Sequence, residues 1–239
     1  MASTSNLPSS PADAIGFHDQ LAVSWSDNYK KPSFVRRYDA FAELLQSQEL
    51  TGQQWLDAGC GTGNLSRLLL DRNAHVHGVD GSAQMIEQSK RLNCNRANAS
   101  FQQIPSLIDW TWKGEPFQGI LCSSVLEYID SPSKLVEQFS NMLLPDGILL
   151  ISVPNRFSAI RVSQKLTHWM TSKFCKRPFP SYLDHSRTDF SVARITNLLE
   201  SNSFRIELIK NFGIPAARFI PESSWLSPLL LIRARYCSK

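Results

Sequence analysis

The stretch QWLDAGCGTGNLSRLLLDR, residues 54–72, decides the fold. A short apolar strand, QWLDA, runs into three glycines spaced by one residue, Gly59, Gly61 and Gly63, and a helical pattern opens near Gly63. Glycines in such a turn permit positive φ and let the backbone approach a ligand closely. The next strand-like run, HVHGVD at 75–80, ends on Asp80, 17 residues after Gly63. A carboxylate at that strand end can accept two hydrogen bonds from a ribose diol.

Two cofactors use a turn of this kind. A dinucleotide goes with G-x-G-x-x-G, where a helix N-terminus meets a pyrophosphate. Here the third glycine comes one residue early, and Asp57 stands two residues before Gly59. A carboxylate there repels a pyrophosphate but holds an amino group. The pattern therefore favours S-adenosyl-L-methionine (SAM), whose methionine end carries an ammonium and no phosphate. A dinucleotide and a glycine turn without ligand are the alternatives.

Outward from the turn, strands and helices alternate. A helix is expected from Ser82 (AQMIEQSKRL), strands at 99–103 and 117–123, and a helix at 132–144 with Ser131 as its cap and Pro132 at its first position. PDG at 145–147 is expected to turn the chain into ILLISV, 148–153. Such alternation predicts a parallel sheet covered on both faces. Helical periodicity over 12–48, interrupted by Pro32, precedes the sheet. After Pro154 come an amphipathic helix at about 157–172, a helix at about 190–201, and strands at 204–211 and 229–236 that read as an antiparallel hairpin.

Composition sets the outer bounds. The 239 residues, 42% hydrophobic and 19% charged, suit one α/β domain over 13–239. Residues 1–12, rich in Ser and Pro, are expected to be a disordered lead-in without the features of a secretory signal. The net charge of +4 does not by itself argue for nucleic acid. Five scattered cysteines without C-x-x-C spacing or a His cluster argue against a metal site or a disulfide framework and suit a reducing, cytoplasmic setting. No apolar run reaches the roughly 18 residues of a membrane span.

WLDAGCGTGNLSRLL resembles the first motif of class I SAM-dependent methyltransferases, and VHGVDGSAQMIEQSK the second. FQGILCSSVLEYIDSPSKLVEQFSNMLLPDGILLISVPN resembles their block around strands four and five. The likeness is nearest to the small-molecule branch that includes ubiquinone-type O-methyltransferases. It implies an α/β, Rossmann-like fold with sheet order 3-2-1-4-5-7-6 and an antiparallel seventh strand. It also implies that Asp57, Gly59, Gly61 and Gly63 shape the methionine pocket, that Asp80 takes the ribose, and that Ser82 and Met85 lie beside ribose and adenine. Ser123 falls under the methionine moiety, with Cys60, Asn64 and Gly81 also touching the cofactor. The acidic residue that often follows strand three is absent, since FQQIPSLIDW stands there, leaving adenine to groups near Gln103 and Ile104.

FHDQLAVSWSDNYKKPSFVRR, 17–37, resembles the family's N-terminal lid, expected over 13–48. Trp25 and Tyr29 are expected to flank the methionine, and Arg36 or Arg37 to meet its carboxylate. A substrate-side insert is expected over 154–190. Gly147–Leu183 contains no Asp or Glu but carries Arg156, Arg161, Lys165, His168, Lys173, Lys176 and Arg177. Phe157, Ile160, Leu166, Trp169 and Met170 make an apolar face at helical spacing. The insert thus suits an anionic or lipid-like acceptor, or peripheral membrane contact, with nucleic acid a weaker fit.

Together these features predict a methyltransferase acting on a small molecule, with a hydroxyl oxygen as acceptor. N- or C-methylation and SAM binding without transfer are the alternatives. A base is expected among His185, His18 and Glu127, with His185 favoured for its neighbour Asp184 and its place after strand five.

Overall fold

The computed structural model describes residues 11–174, 179, 181–213 and 224–238. The expected lead-in falls, over 1–10, outside the described residues, as do Lys176 and Arg177. Helix α1 (Pro11–Trp25) passes through a 3₁₀ turn, Ser26–Lys30, into α2 (Pro32–Leu44), where Pro32 occupies the start of the helix. The alternating region follows as β1 (Gln54–Ala58), α3 (Ser66–Leu70), β2 (His75–Asp80), α4 (Ala83–Leu92), β3 (Ala99–Gln103) and β4 (Phe117–Ser123). A 3₁₀ turn at Leu126–Tyr128 leads to α5 (Pro132–Met142), β5 (Leu143–Pro154) and α6 (Ala159–Phe174). A 3₁₀ turn at Ser181–Asp184, α7 (Val192–Glu200), β6 (Phe204–Phe212) and β7 (Leu229–Tyr236) complete the order.

The seven strands line up as β3-β2-β1-β4-β5-β7-β6. The pairings from β3 to β5 are parallel, and β7 runs antiparallel to both β5 and β6. Central strands read as near-continuous apolar runs because helices cover both faces. One buried cluster holds Leu56, Ile120, Leu149, Ile151, Ile232 and Phe139 of α5, and a second holds Trp55, Leu121, Leu150 and Leu231 with Phe41 and Leu44 of α2. Alternate residues of β1, β4, β5 and β7 thus point to opposite layers.

Two local expectations are corrected. PDG does not end an element: β5 starts at Leu143, and the pairing jumps from Phe117–Leu143 to Gly119–Ile148. Asp146, at φ 61°, takes up the excess as a bulge. Ser131 makes no side-chain cap bond, so Pro132, which needs no N–H partner, starts α5 alone.

Candidate functional site

β1 ends at Ala58, and the chain turns through Gly59, Gly61 and Gly63 at φ 74°, 52° and 74°. Side chains would also collide there. A Cβ on Gly59 would lie 2.3 Å from Val125 Cγ2, and one on Gly63 would lie 2.7 Å from Asn93 Nδ2. The turn's amides are already spoken for. Gly59 and Cys60 donate to the carbonyl of Val79 at 2.8 and 3.0 Å, Gly63 to that of Cys60 at 3.0 Å, and Gly61 to Asp80 Oδ2 at 2.9 Å. A pyrophosphate would find none of these four donors free, which argues against the dinucleotide.

The turn forms one wall of a cavity of about 940 Å³ beyond the carboxyl ends of the strands. That is near the upper end of the roughly 300–1,000 Å³ usual for small-molecule sites. Asp57, Gly59, Cys60, Gly61, Asp80, Gly81, Met85, Ile104 and Ser123 line it from the sheet side, and His18, Trp25, Tyr29 and Arg37 from the lid. Four expected cofactor residues stand behind this wall rather than in it. Gly63 packs on Ser89 and Asn93, and Asn64 donates to Thr62 and Ser26. Ser82 caps α4 by accepting from Met85 N, and exposed Gln103 donates to the carbonyl of Gly81 at 3.1 Å. The N–H of Ile104 is bonded to the carbonyl of Asp80. Beyond it, Pro105, Ser106, Leu107 and Ile108 continue the wall.

The site's charges are buried and opposed. Asp57 is 2% exposed and accepts a 2.6 Å bond from Ser66, yet no cation pairs with it among the described residues. Burial therefore raises its pKa to about 7, against the lowering by Ser66. Asp80 is likewise pushed up by burial, although the N–H groups of Ser82 and Gly61 pull it back. Across the cavity, Arg37 has no carboxylate partner among the described residues. Its Nη2 donates to Ser123 and Ser124 at 2.6 Å and to Ser152 at 3.0 Å, and its buried Nε has no hydrogen-bond partner there. Arg36 instead lies 5.7 Å over the Phe212 ring, outside the cavity. The Tyr29 phenol feels both Arg37 and Asp57, and burial lifts its pKa to about 12.

Asp57 and Arg37 thus place in the lining of one cavity a carboxylate and a guanidinium that have no opposite charge paired with them among the described residues. They complement the ammonium and carboxylate of an amino acid, and Asp80 complements a diol. The residues present fit SAM.

A second group surrounds this one. Glu127, 5% exposed, lines the cavity with Oε2 buried and unbonded. Burial raises its pKa to about 7, partly offset by Arg37 and Arg161. His18 packs edge-on against Trp25 and Tyr128, at 5.7 and 5.4 Å. Burial, then the charge of His185, lowers its pKa to about 4. His185 lies 4.8 Å from the Phe17 ring, outside the cavity lining, with Nδ1 buried and unbonded.

Several contributors have no sequence expectation. Ser124 holds φ 56°, a conformation that non-glycine residues adopt at some cost, and presents its hydroxyl to Arg37. Ser152, a polar residue inside the apolar run ILLISV, signals this role in hindsight. Asp19 of α1 accepts from the hydroxyl of Ser82 and from Gln84 N–H. Arg161 is not part of a solvated basic face. It is 5% exposed, lines the cavity, and donates to Asp189, Tyr182 and Ser186 at 3.1, 3.1 and 2.9 Å. His168 is also turned inward, 3.1 Å from Asp184.

The methyltransferase-domain family matches residues 29–206. A ubiquinone biosynthesis O-methyltransferase of Psychrobacter cryohalolentis is 26% identical over 187 residues, 73% of this chain and 71% of that protein. One of Glaesserella parasuis is 34% identical over 113 residues, 45% of this chain and 48% of that protein, so the match spans about half the length of that relative. The structure of magnesium protoporphyrin IX methyltransferase (ChlM) from Synechocystis with bound SAH is similar in fold, with a TM-score of 0.67 at 17% identity, over 94% of this chain and 99% of that one. With the family match extending over more than half of its residues, the chain belongs to the methyltransferase-domain family and is a class I, SAM-dependent methyltransferase.

Proposed function

We propose that the protein methylates a hydroxyl oxygen of a small-molecule acceptor, with Glu127 as the base. The observation that carries this reading is Glu127, a cavity-lining residue whose carboxylate is buried, unbonded at Oε2, and has a pKa of about 7. A base is most effective when its pKa lies near the working pH. The O-methyltransferase relatives support the same acceptor atom.

When bound, the cofactor supplies an electrophilic sulfonium methyl group. Asp57 and Arg37 would hold its ammonium and carboxylate, Asp80 its ribose, and Gly81, Met85 and Ile104 its adenosine end. Trp25 closes over the turn, its Nε1 3.9 Å from where a Cβ on Gly61 would sit. The Glu127 carboxylate would take the hydroxyl proton as the oxygen attacks. His18, neutral near pH 7 because its pKa is about 4, orients the hydroxyl without retaining the proton. His185 packs on Phe17 outside the cavity lining, so we assign it to positioning the lid. Rings of Phe17, Trp25, Tyr128 and Tyr182 exclude water and align the acceptor, which is where most of the rate gain in such a displacement arises.

The test combines a cell extract, methyl-labelled SAM and the protein, with identification of the labelled product. With that acceptor, Glu127→Gln is expected to lower kcat by about 10²–10⁴-fold while leaving SAH affinity intact. A labelled carbon or nitrogen, or an undiminished kcat in the variant, overturns the proposal.

A further inference from the structure

Among the described residues, twelve large apolar side chains are exposed, and seven of them lie between 157 and 179. Soluble surfaces scatter such residues singly, whereas contiguous patches mark docking sites. Five sit on α6: Val162, Leu166, Trp169, Met170 and Phe174, at 56%, 54%, 55%, 45% and 88% exposure. Their spacing of four, three, one and four residues keeps the first four in one stripe, with Phe174 at its edge and Lys173 Nζ 3.8 Å from the Trp169 ring centre. The opposite side of the same helix lends Arg161 and Gln164 to the cavity wall. The stripe is therefore not the cover of the core. The core side of α6 is accounted for, and the apolar side has no partner among the described residues.

Charge identifies the occupant. No Asp or Glu occurs from Gly147 to Leu183. The nearest carboxylates are engaged, Asp189 by Arg161 and Lys165 and Asp184 by His168. Arg156 and Lys173 are exposed beside the apolar residues. A second copy docked through the same face would set these cations against each other with no acid to answer them, because a two-fold contact pairs a patch with itself. A surface that is apolar below and anionic at its boundary satisfies both halves of the stripe, and Trp and Lys are the side chains that settle at that boundary.

We propose that α6 lies along an anionic lipid surface, with Val162, Leu166, Trp169 and Met170 in the acyl boundary and Arg156 and Lys173 at the headgroups. Over 16 residues the helix is roughly 24 Å long, long enough to lie flat and too short to span. Resting on the methyl-transfer reading, this also assigns the acceptor to a class: an amphiphile whose hydroxyl-bearing head enters the cavity while its apolar part stays with the lipid.

The experiment is sedimentation of the full chain with vesicles of phosphatidylcholine, alone and with 30% phosphatidylglycerol at about 0.1 M salt, without SAM. Binding to the anionic vesicles, a blue shift of Trp fluorescence on binding, and its loss in Leu166→Ser/Trp169→Ser are expected. Lys173→Glu is expected to weaken binding about fivefold or more, as removal of a cation near an anionic surface does. SAH affinity, measured by calorimetry in the same variants, is expected to stay at the wild-type value, which separates failure of this surface from failure of the cofactor site. Equal binding to both vesicle types, no binding to either, or a dimer in sedimentation analysis that the Leu166→Ser/Trp169→Ser variant abolishes would each overturn the proposal.

Discussion

The hydroxyl of Ser66 donates to a carboxylate oxygen of Asp57 at 2.6 Å, joining the first helix after the glycine turn to the strand before it. One neutral donor is weak compensation for a carboxylate sealed from water, so Asp57 titrates near neutrality instead of near 4. In the unliganded protein it is a waiting site for a cation.

The affinity for SAM and SAH is therefore expected to depend on pH. An ammonium beside Asp57 stabilises the carboxylate, so binding must expel any proton there. With a free-state pKa of about 7, affinity rises as pH increases from 6 to 8 and levels above that. The gain is about tenfold, the ratio of ionised Asp57 at the two pH values. For folding the sign is opposite. A carboxyl whose folded pKa is raised contributes stability that is present below about 4 and lost as pH rises through about 7. SAH should then raise the Tm more at pH 8 than at pH 6. Asp57→Asn should flatten both profiles, and calorimetric titrations at pH 6, 7 and 8 check this.

Arg37→Ala should weaken SAH binding by about 10–100-fold, the equivalent of roughly 1.5–3 kcal/mol for hydrogen bonds to a charged group. Arg36→Ala should change it less than about twofold, because Arg36 lies over the Phe212 ring and outside the cavity. Equal losses in the two variants would mean that the methionine carboxylate is held elsewhere.

With saturating SAM, kcat should rise with pH through about 7 and then level, because only the ionised form of Glu127 accepts a proton. His185→Ala should leave that limb in place with a modest fall in rate. Disappearance of the limb in His185→Ala, with Glu127→Gln unaffected, would return the base to the histidine.

Ile15 covers Gly81, whose missing Cβ would lie 2.7 Å from the Ile15 Cδ1, and Asp19 ties the same helix to Ser82 and Gln84. Asp19→Ala leaves the Gln84 amide without its acceptor and frees α1 to lift. SAH should dissociate about 5–100-fold faster, for a loss of roughly 1–3 kcal/mol at a charged acceptor. Amide exchange over 14–22 should accelerate in parallel, read by mass spectrometry.

The sheet was legible because its grammar is local: three glycines after β1, Asp80 at the end of β2, and strands that read as mostly apolar runs. The antiparallel closing pair was legible for the same reason, since no helical pattern separates 204–211 from 229–236. The cavity's polar wall was less so. Ser124 and Ser152 matter only because an arginine about 90 to 115 positions away in sequence falls between them, at separations no window can see. Arg161 misled for a related reason. On the helix it reads as one of several cations, and only the return of Asp189, Tyr182 and Ser186 to that spot makes it an interior group. The histidines were judged by their neighbours in sequence, whereas the fold sorted them by whether they line the cavity, as His18 does and His185 does not.

The place of β7 has a consequence for the order in which the molecule can be made. The cofactor turn, Asp80, Ser123 and Ser152 all emerge from the ribosome within the first two-thirds of the chain, together with every parallel strand. The strand that seals β5 on one side and carries β6 on the other is the last to emerge, at Leu229–Tyr236. Until then β5, apolar along most of its length, is an open edge of the kind that recruits foreign strands. A nascent chain stalled before residue 229 would thus own a nearly complete cofactor half and a sticky flank, and would depend on chaperones for the interval.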